Sequence, residues 1–202
     1  MLTVVGMGPA GLQWLIPAAR EAIAAAEAFG GRQPPSPAVS RLRRRSASAL
    51  GADMPALLAW IEARTGRRVV VLASGDPLFY GIGTRLIAHF GRERVQVIPG
   101  ISAVQYLCAR AGIDMNDMWL TSSHGRAVSF DALAAHRKVA MVTDGRCGPR
   151  EIAAQLMARG KGHRWMVIGE NLAMENERIH WLPVSAVEDE YEMNAVVILD
   201  ER

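Results

Sequence analysis

Cysteine is scarce, with only Cys108 and Cys147 among 202 residues. Two thiols cannot make a disulfide framework, nor by themselves a tetrahedral zinc site, so the expectation is a protein of the reducing cytoplasm. Long apolar runs are also missing. Runs such as that around Val69 to Ala73 are far short of the roughly 20 residues a membrane helix needs. Met1 leads straight into strand-like Leu2 to Val5 rather than a basic flank and an apolar signal core. Membrane spanning and secretion are therefore not expected. His89, His136, His163 and His180 stand singly without ligand spacing, so no metal site is expected, and no fixed-period repeat is visible.

Half of the residues are apolar, enough for one ordinary domain or two small ones. Charge is uneven: residues 1–110 carry 13 basic and 6 acidic side chains, while 111–202 carry 10 and 14. Arg32, Arg41, Arg43, Arg44 and Arg45 fall in one Pro/Ser/Ala-rich segment. No aromatic residue is interleaved there for base stacking, so a solvated linker is preferred to a nucleic-acid patch. No nucleic-acid partner is expected.

Short apolar runs alternate with helix-forming segments. Leu2 to Val5 precedes a helix read over Gln13 to Phe29, and a helix from Met54 to Thr65 precedes the valine run at Val69. The same rhythm continues to Ala195–Leu199, which argues an α/β protein with mixed strand directions in the last third. The change of charge sign and the polar stretch from Asp114 to Asp117 place a boundary there. The expected domains are an N-terminal α/β domain over 1–113 and a C-terminal α/β domain over 114–202.

Gly6-Met7-Gly8-Pro9-Ala10-Gly11 matches the glycine fingerprint of dinucleotide sites. That fingerprint also needs an acidic residue ending a second strand about 20 positions later. The window from Ala26 to Gln33 offers only Glu27, within an alanine-rich helix. The turn thus reads as a close approach to a ligand or to another backbone, stiffened by Pro9. Ser74-Gly75-Asp76-Pro77 follows the valine strand, where open α/β sheets bind ligands. Asp76 is the best-placed carboxylate, although it would equally suit bonds to nearby amides.

Leu78-Phe79-Tyr80-Gly81-Ile82-Gly83 offers an apolar wall suited to a large conjugated ring, with core packing as the plain alternative for Phe79. Ser102 in Pro99-Gly100-Ile101-Ser102 reads as a capping box with Gln105, its hydroxyl also able to reach a ligand. Thr121-Ser122-Ser123-His124-Gly125-Arg126 gathers hydroxyls, an imidazole and a guanidinium, which suits carboxylate recognition and proton transfer; an ordinary solvated loop is the alternative.

Taken in order, Val4 to Pro9, Ala73 to Gly83, Ile98 to Ser102 and Ser122 to Arg126 resemble the S-adenosylmethionine-dependent tetrapyrrole methylases, over nearly the whole chain. Gly169-Glu170-Asn171-Leu172, Asn176-Glu177-Arg178-Ile179 and Asn194 to Ile198 fit the same family, and the His-Gly-Arg piece resembles its branch that methylates C5 of a cobalt-bearing precorrin. The resemblance implies a parallel-sheet N-terminal domain, a mixed-sheet C-terminal domain, a methyl donor in the cleft between them, and a homodimer. It implies donor contacts at Pro9, Ser74, Gly75, Asp76, Ser102 and Ala103, then at Thr143, Asp144, Gly169 and Ala195. The corrinoid side falls to Gly8, Tyr80, Ser123, His124 and Arg126, with His124 handling any proton.

The implied pathway is the anaerobic route of cobalamin biosynthesis, with a separate partner enzyme for C15 methylation and decarboxylation. Rival readings are methylation of another ring carbon or of a cobalt-free ring, a nicotinamide-dependent oxidoreductase, and a non-catalytic tetrapyrrole carrier. Two departures stand out. Ala10 replaces a common glycine, and Gln33 to Ser48 fits poorly, as a local frameshift or a free surface insertion would.

Overall fold

The computed structural model describes residues 1–10, 12–30 and 53–201. Gly11 and the Gln33 to Ser48 expectation lie outside the described residues. The chain divides into two compact units, Met1–Ser102 and Ala103–Arg202.

In the first unit, β1 (Leu2–Gly6), β2 (Ala28–Gly30), β3 (Val69–Ala73) and β4 (Val95–Ile98) form a parallel sheet in the order β2-β3-β1-β4. Successive strand residues face opposite sides, and here both sides are covered. Val4, Val69 and Val71 cluster with Leu57 and Ile61 of α2 (Met54–Glu62) and with Leu86 and Phe90 of α3 (Gly83–Phe90). Val5, Val70 and Leu72 cluster instead with Ala19 and Ile23 of α1 (Pro17–Ala25). Two-sided burial explains why β3 reads as an unbroken apolar run.

The helix expected over Gln13 to Phe29 is shorter. A 3-10 turn at Leu12–Trp14 precedes α1, Ala26 is extended, and β2 follows. The Glu27 and Ala28 N–H groups donate to the Arg68 carbonyl at 2.9 and 3.4 Å, so pairing with β3 draws this alanine-rich stretch into the sheet.

In the second unit, β5 (Trp119–Ser122), β6 (Lys138–Val142), β7 (Trp165–Glu170), β8 (Arg178–Pro183) and β9 (Asn194–Leu199) lie in the order β5-β6-β9-β7-β8. β5 and β6 are parallel and the other neighbours antiparallel, so the expected mixed sheet is present. Met141, Ile168, Val196 and Ile198 pack with Leu133 of α5 (Phe130–Ala135) and with Ile152 and Leu156 of α6 (Pro149–Met157). Ala140, Val167 and Val197 are fully buried too, and α4 (Ala103–Ala111) packs against β6 and β9. The helix α4 thus belongs to the second unit, and the division lies upstream of position 113.

Arg164 is fully buried and donates to the carbonyls of Leu133 (3.1 Å), His136 (2.7 Å) and Arg137 (2.7 Å), which lie in and just beyond the last turn of α5. Its Nε lies 2.8 Å from Asp200 Oδ1, an ion pair that opposes the lowering of its pKa by burial. The guanidinium therefore satisfies carbonyls that a helix end leaves without intrahelical partners. Among the described residues, no helix is long and apolar enough to cross a membrane.

Candidate active site

The turns at the carboxyl ends of β1, β3 and β4 meet in the first unit. Met7 N–H donates to the Ala73 carbonyl at 2.9 Å, and Gly8 and Gly75 exchange backbone bonds of 3.3 and 2.9 Å. A Cβ at Gly6 would lie 2.7 Å from Gly100 Cα and 2.8 Å from the Gly75 carbonyl oxygen. Only side-chain-free residues allow that approach. The close neighbour of the glycine turn is thus the backbone of the two turns beside it.

Asp76 fastens the cluster. Its Oδ1 accepts from Leu78 N–H (2.8 Å) and Phe79 N–H (3.2 Å), and its Oδ2 accepts from Gly100 N–H (3.2 Å). The turns bearing Pro9, Asp76 and Ser102 are thereby brought together, with Ser74 exposed, Pro9 and Gly75 half-buried, and Ser102 buried. Tyr80, at φ +54°, is exposed and packs edge-on against Phe79, the ring centroids 5.1 Å apart. Glu27 does not meet the dinucleotide requirement. It precedes β2, beyond β3 rather than beside β1, and accepts from Arg68 N–H at 2.8 Å.

In the second unit, Val142, Ala195 and Gly169 share one row of the sheet, so the ends of β5, β6 and β7 lie on one side with the start of β9. Ser123 Oγ donates to the Cys147 carbonyl (3.1 Å) and accepts from Asp144 N–H (3.0 Å), while Ser122 Oγ accepts from His124 N–H (2.9 Å). Asp144 Oδ1 accepts from Arg146 N–H (3.0 Å) and Cys147 N–H (3.1 Å), and Oδ2 accepts from Gly125 N–H (3.3 Å). The Arg146 bond is the main cause of a lowered Asp144 pKa; partial burial opposes it, and the Cys147 and Gly125 bonds add to it.

The hydroxyl-rich stretch therefore splits in two. Thr121, Ser122 and Ser123 are buried, whereas His124, Gly125 and Arg126 are exposed. Thr143 Oγ1 lies 2.8 Å from the Asn194 carbonyl oxygen and 2.6 Å from Asn194 Oδ1. Gly169 and Ala195 are buried, and a Cβ at Gly169 would press on Leu172 and Leu107 at 2.6 and 2.7 Å. Ala103 is half-buried at the start of α4.

The residue reading missed a polar network at this same end. Glu192 N–H donates to Glu170 Oε1 at 2.7 Å, the Asn171 amide bonds Glu192 Oε2, and Asn194 Nδ2 donates to the Glu192 carbonyl at 2.7 Å. Glu177 joins Ala173 N–H (2.6 Å) to Arg110 Nε (2.8 Å). Asn171 and Ala173 both have positive φ, and only the asparagine advertises that in sequence. Among the described residues, no group of three or more His, Cys, Asp or Glu is placed to hold a metal ion. Burial pushes the Cys108 and Cys147 thiols up to about 11, which leaves little thiolate for nucleophilic chemistry at neutral pH.

Residues 1–187 match the family model described as Tetrapyrrole (Corrin/Porphyrin) Methylases. The chain is 73% identical over 205 aligned positions to the cobalt-precorrin-7 C(5)-methyltransferase of Salmonella typhimurium, covering 100% of both chains. It is 32% identical over 182 positions to a precorrin-6Y C(5,15)-methyltransferase [decarboxylating] of Sinorhizobium, covering 88% of this chain and 44% of that one. The solved uroporphyrin-III C-methyltransferase of Thermus thermophilus, complexed with S-adenyl homocysteine, superposes with a TM-score of 0.81 at 19% identity, covering 98% of this chain and 97% of that one. At that identity the likeness shows the fold.

Proposed function

The chain belongs to the tetrapyrrole (corrin/porphyrin) methylases, and on that premise we propose that it transfers a methyl group from S-adenosylmethionine to C5 of cobalt-precorrin-7 in the anaerobic route of cobalamin biosynthesis. The observation that carries this reading is the 73% identity, end to end, with the Salmonella enzyme.

The turns of the first unit fit such a donor. Gly6 to Ala10, Ser74 to Asp76 and Pro99 to Ser102 contain no lysine or arginine and one carboxylate, Asp76. A set of backbone groups and hydroxyls beside one anion suits a sulfonium better than a pyrophosphate, which the lack of a ribose-binding acid also disfavours. Pro9, Ser74, Gly75, Asp76 and Ser102 are the donor contacts of the first unit, and the resemblance adds Ala103 and Thr143. Gly169 and Ala195, both buried in the second unit, are assigned to the donor by the resemblance alone.

When bound, the donor supplies an electrophilic methyl group whose thioether leaves as the ring carbon takes the methyl. The protein's part is to align the reactants and exclude water, and alignment alone is worth up to roughly 7–11 kcal/mol. Gly8 and Tyr80 line the corrinoid side. Arg126 pairs with peripheral carboxylates, and the exposed His124 imidazole takes or returns any proton.

We assign a homodimer from the resemblance, and the cytoplasm from the scarcity of cysteine. The Sinorhizobium protein is named for both C5 and C15 and is matched over 44% of its length, which supports a separate partner for C15 methylation and decarboxylation.

The test is paired. Calorimetry should show S-adenosylhomocysteine binding and no reduced nicotinamide dinucleotide binding; the reverse selects the oxidoreductase. Adding cobalt-precorrin-7 with S-adenosylmethionine should release S-adenosylhomocysteine, and a corrinoid that binds without release selects the carrier.

A further inference from the structure

Asp144 falls in a segment assigned to the donor by resemblance, yet its carboxylate bonds point to the neighbouring turn. Oδ1 is engaged by Arg146 N–H and Cys147 N–H within its own turn, and Oδ2 reaches Gly125 N–H, 19 positions earlier in the chain. Gly125, at φ +67°, has no heavy atom beyond its chain neighbours within 4 Å of where a Cβ would stand, so side-chain packing does little to hold it. Hydrogen bonds do the holding: Asp144 to Gly125, Ser122 Oγ to His124 N–H, and Arg126 N–H to the Ser123 carbonyl at 3.2 Å. Ser123 Oγ closes the stitch from the other side through Asp144 N–H and the Cys147 carbonyl.

We infer that Asp144 is a positioning residue for corrinoid recognition: its carboxylate fastens the His124-Gly125-Arg126 turn that presents the imidazole and guanidinium, rather than contacting the methyl donor. The inference rests on the proposed methyl transfer to a corrinoid. The chemistry is sharp because the two carboxylate oxygens have different tasks. Asp144→Asn keeps one acceptor. With its oxygen toward Arg146 and Cys147, its amide group faces Gly125 N–H, donor against donor, and the cross-turn bond is lost while the local turn survives.

The experiment measures three quantities on the parent, Asp144→Asn and Ser123→Ala: KM for cobalt-precorrin-7, calorimetric affinity for S-adenosylhomocysteine, and hydrogen exchange at the Gly125 amide. Asp144→Asn should raise the corrinoid KM about tenfold, leave donor affinity within about twofold, and speed Gly125 exchange. Ser123→Ala should move KM the same way, and it decides the matter should Asp144→Asn fail to fold. In the double variant the KM effects should be less than multiplicative, as for two parts of one stitch. Donor affinity weakened about tenfold with KM unchanged would make Asp144 a donor contact and overturn the inference, as would no change in either. A parent that binds donor but methylates no corrinoid overturns the functional reading instead, and the inference with it.

Discussion

Asp76 and Asp144 occupy equivalent places in two different sheets. Each follows a strand and accepts from the N–H groups two and three residues on, then reaches across to a glycine N–H of a neighbouring turn, Gly100 for one and Gly125 for the other. What backs each staple differs. Gly100 is wedged against Gly6 and Gly75 with no room for a Cβ, whereas Gly125 stands in open space. Main-chain packing thus holds the first cluster even without its carboxylate, while the second depends on side-chain hydrogen bonds. A turn built the first way is rigid; one built the second way can be retuned by single side chains.

The largest expected effect tests the packed cluster. Gly100→Ala forces a methyl into the Gly6 and Gly75 backbone and should cost about 3 kcal/mol, with donor affinity down at least about a hundredfold, seen by thermal melting and calorimetry. Asp76→Asn should weaken S-adenosylhomocysteine binding about tenfold while sparing the corrinoid KM, the mirror of Asp144→Asn. Equal donor effects from both aspartates would erase the distinction.

Gly125→Ala meets no steric wall and bears only the strain of its positive φ, so it should cost about 1 kcal/mol in melting experiments and raise the corrinoid KM a few fold. The smallest effect is in pH. The folded pKa of Asp144 is depressed, so its staple is fully present above the unfolded carboxyl's value and is lost as pH falls through the folded one. Gly125 amide protection, corrected for intrinsic exchange, should therefore persist across the neutral and mildly acidic range and collapse only in strong acid.

Much of this was legible in sequence where burial is two-sided. The valine-rich β1, β3 and β9 announce themselves because both faces must be apolar. β2 did not, since three residues at the end of an alanine-rich helix carry no period and are recruited by pairing with β3. β8 is half-buried along most of its length, with Arg178 and Pro183 at its ends, an edge-strand pattern without clean alternation. At six residues, α5 is too short to show a helical repeat.

At the site, the residue types near each strand end were visible, but their division of labour was not. Nothing in Ser122-Ser123-His124 says that the hydroxyls face inward to hold a loop while the imidazole stays exposed. Nothing in Asp76 or Asp144 says which glycine each will reach, because those partners are 24 and 19 positions away. Arg164 escaped notice for the same reason: its partners are carbonyls about 30 positions earlier, which no sequence window contains.

The most direct measurement of the whole account is to incubate the protein with S-adenosylmethionine carrying a carbon-13 methyl group and with cobalt-precorrin-7, then locate the label by magnetic resonance. The account predicts one new methyl signal bonded to C5, with one equivalent of S-adenosylhomocysteine released. Label at any other ring carbon, or none transferred, would contradict it.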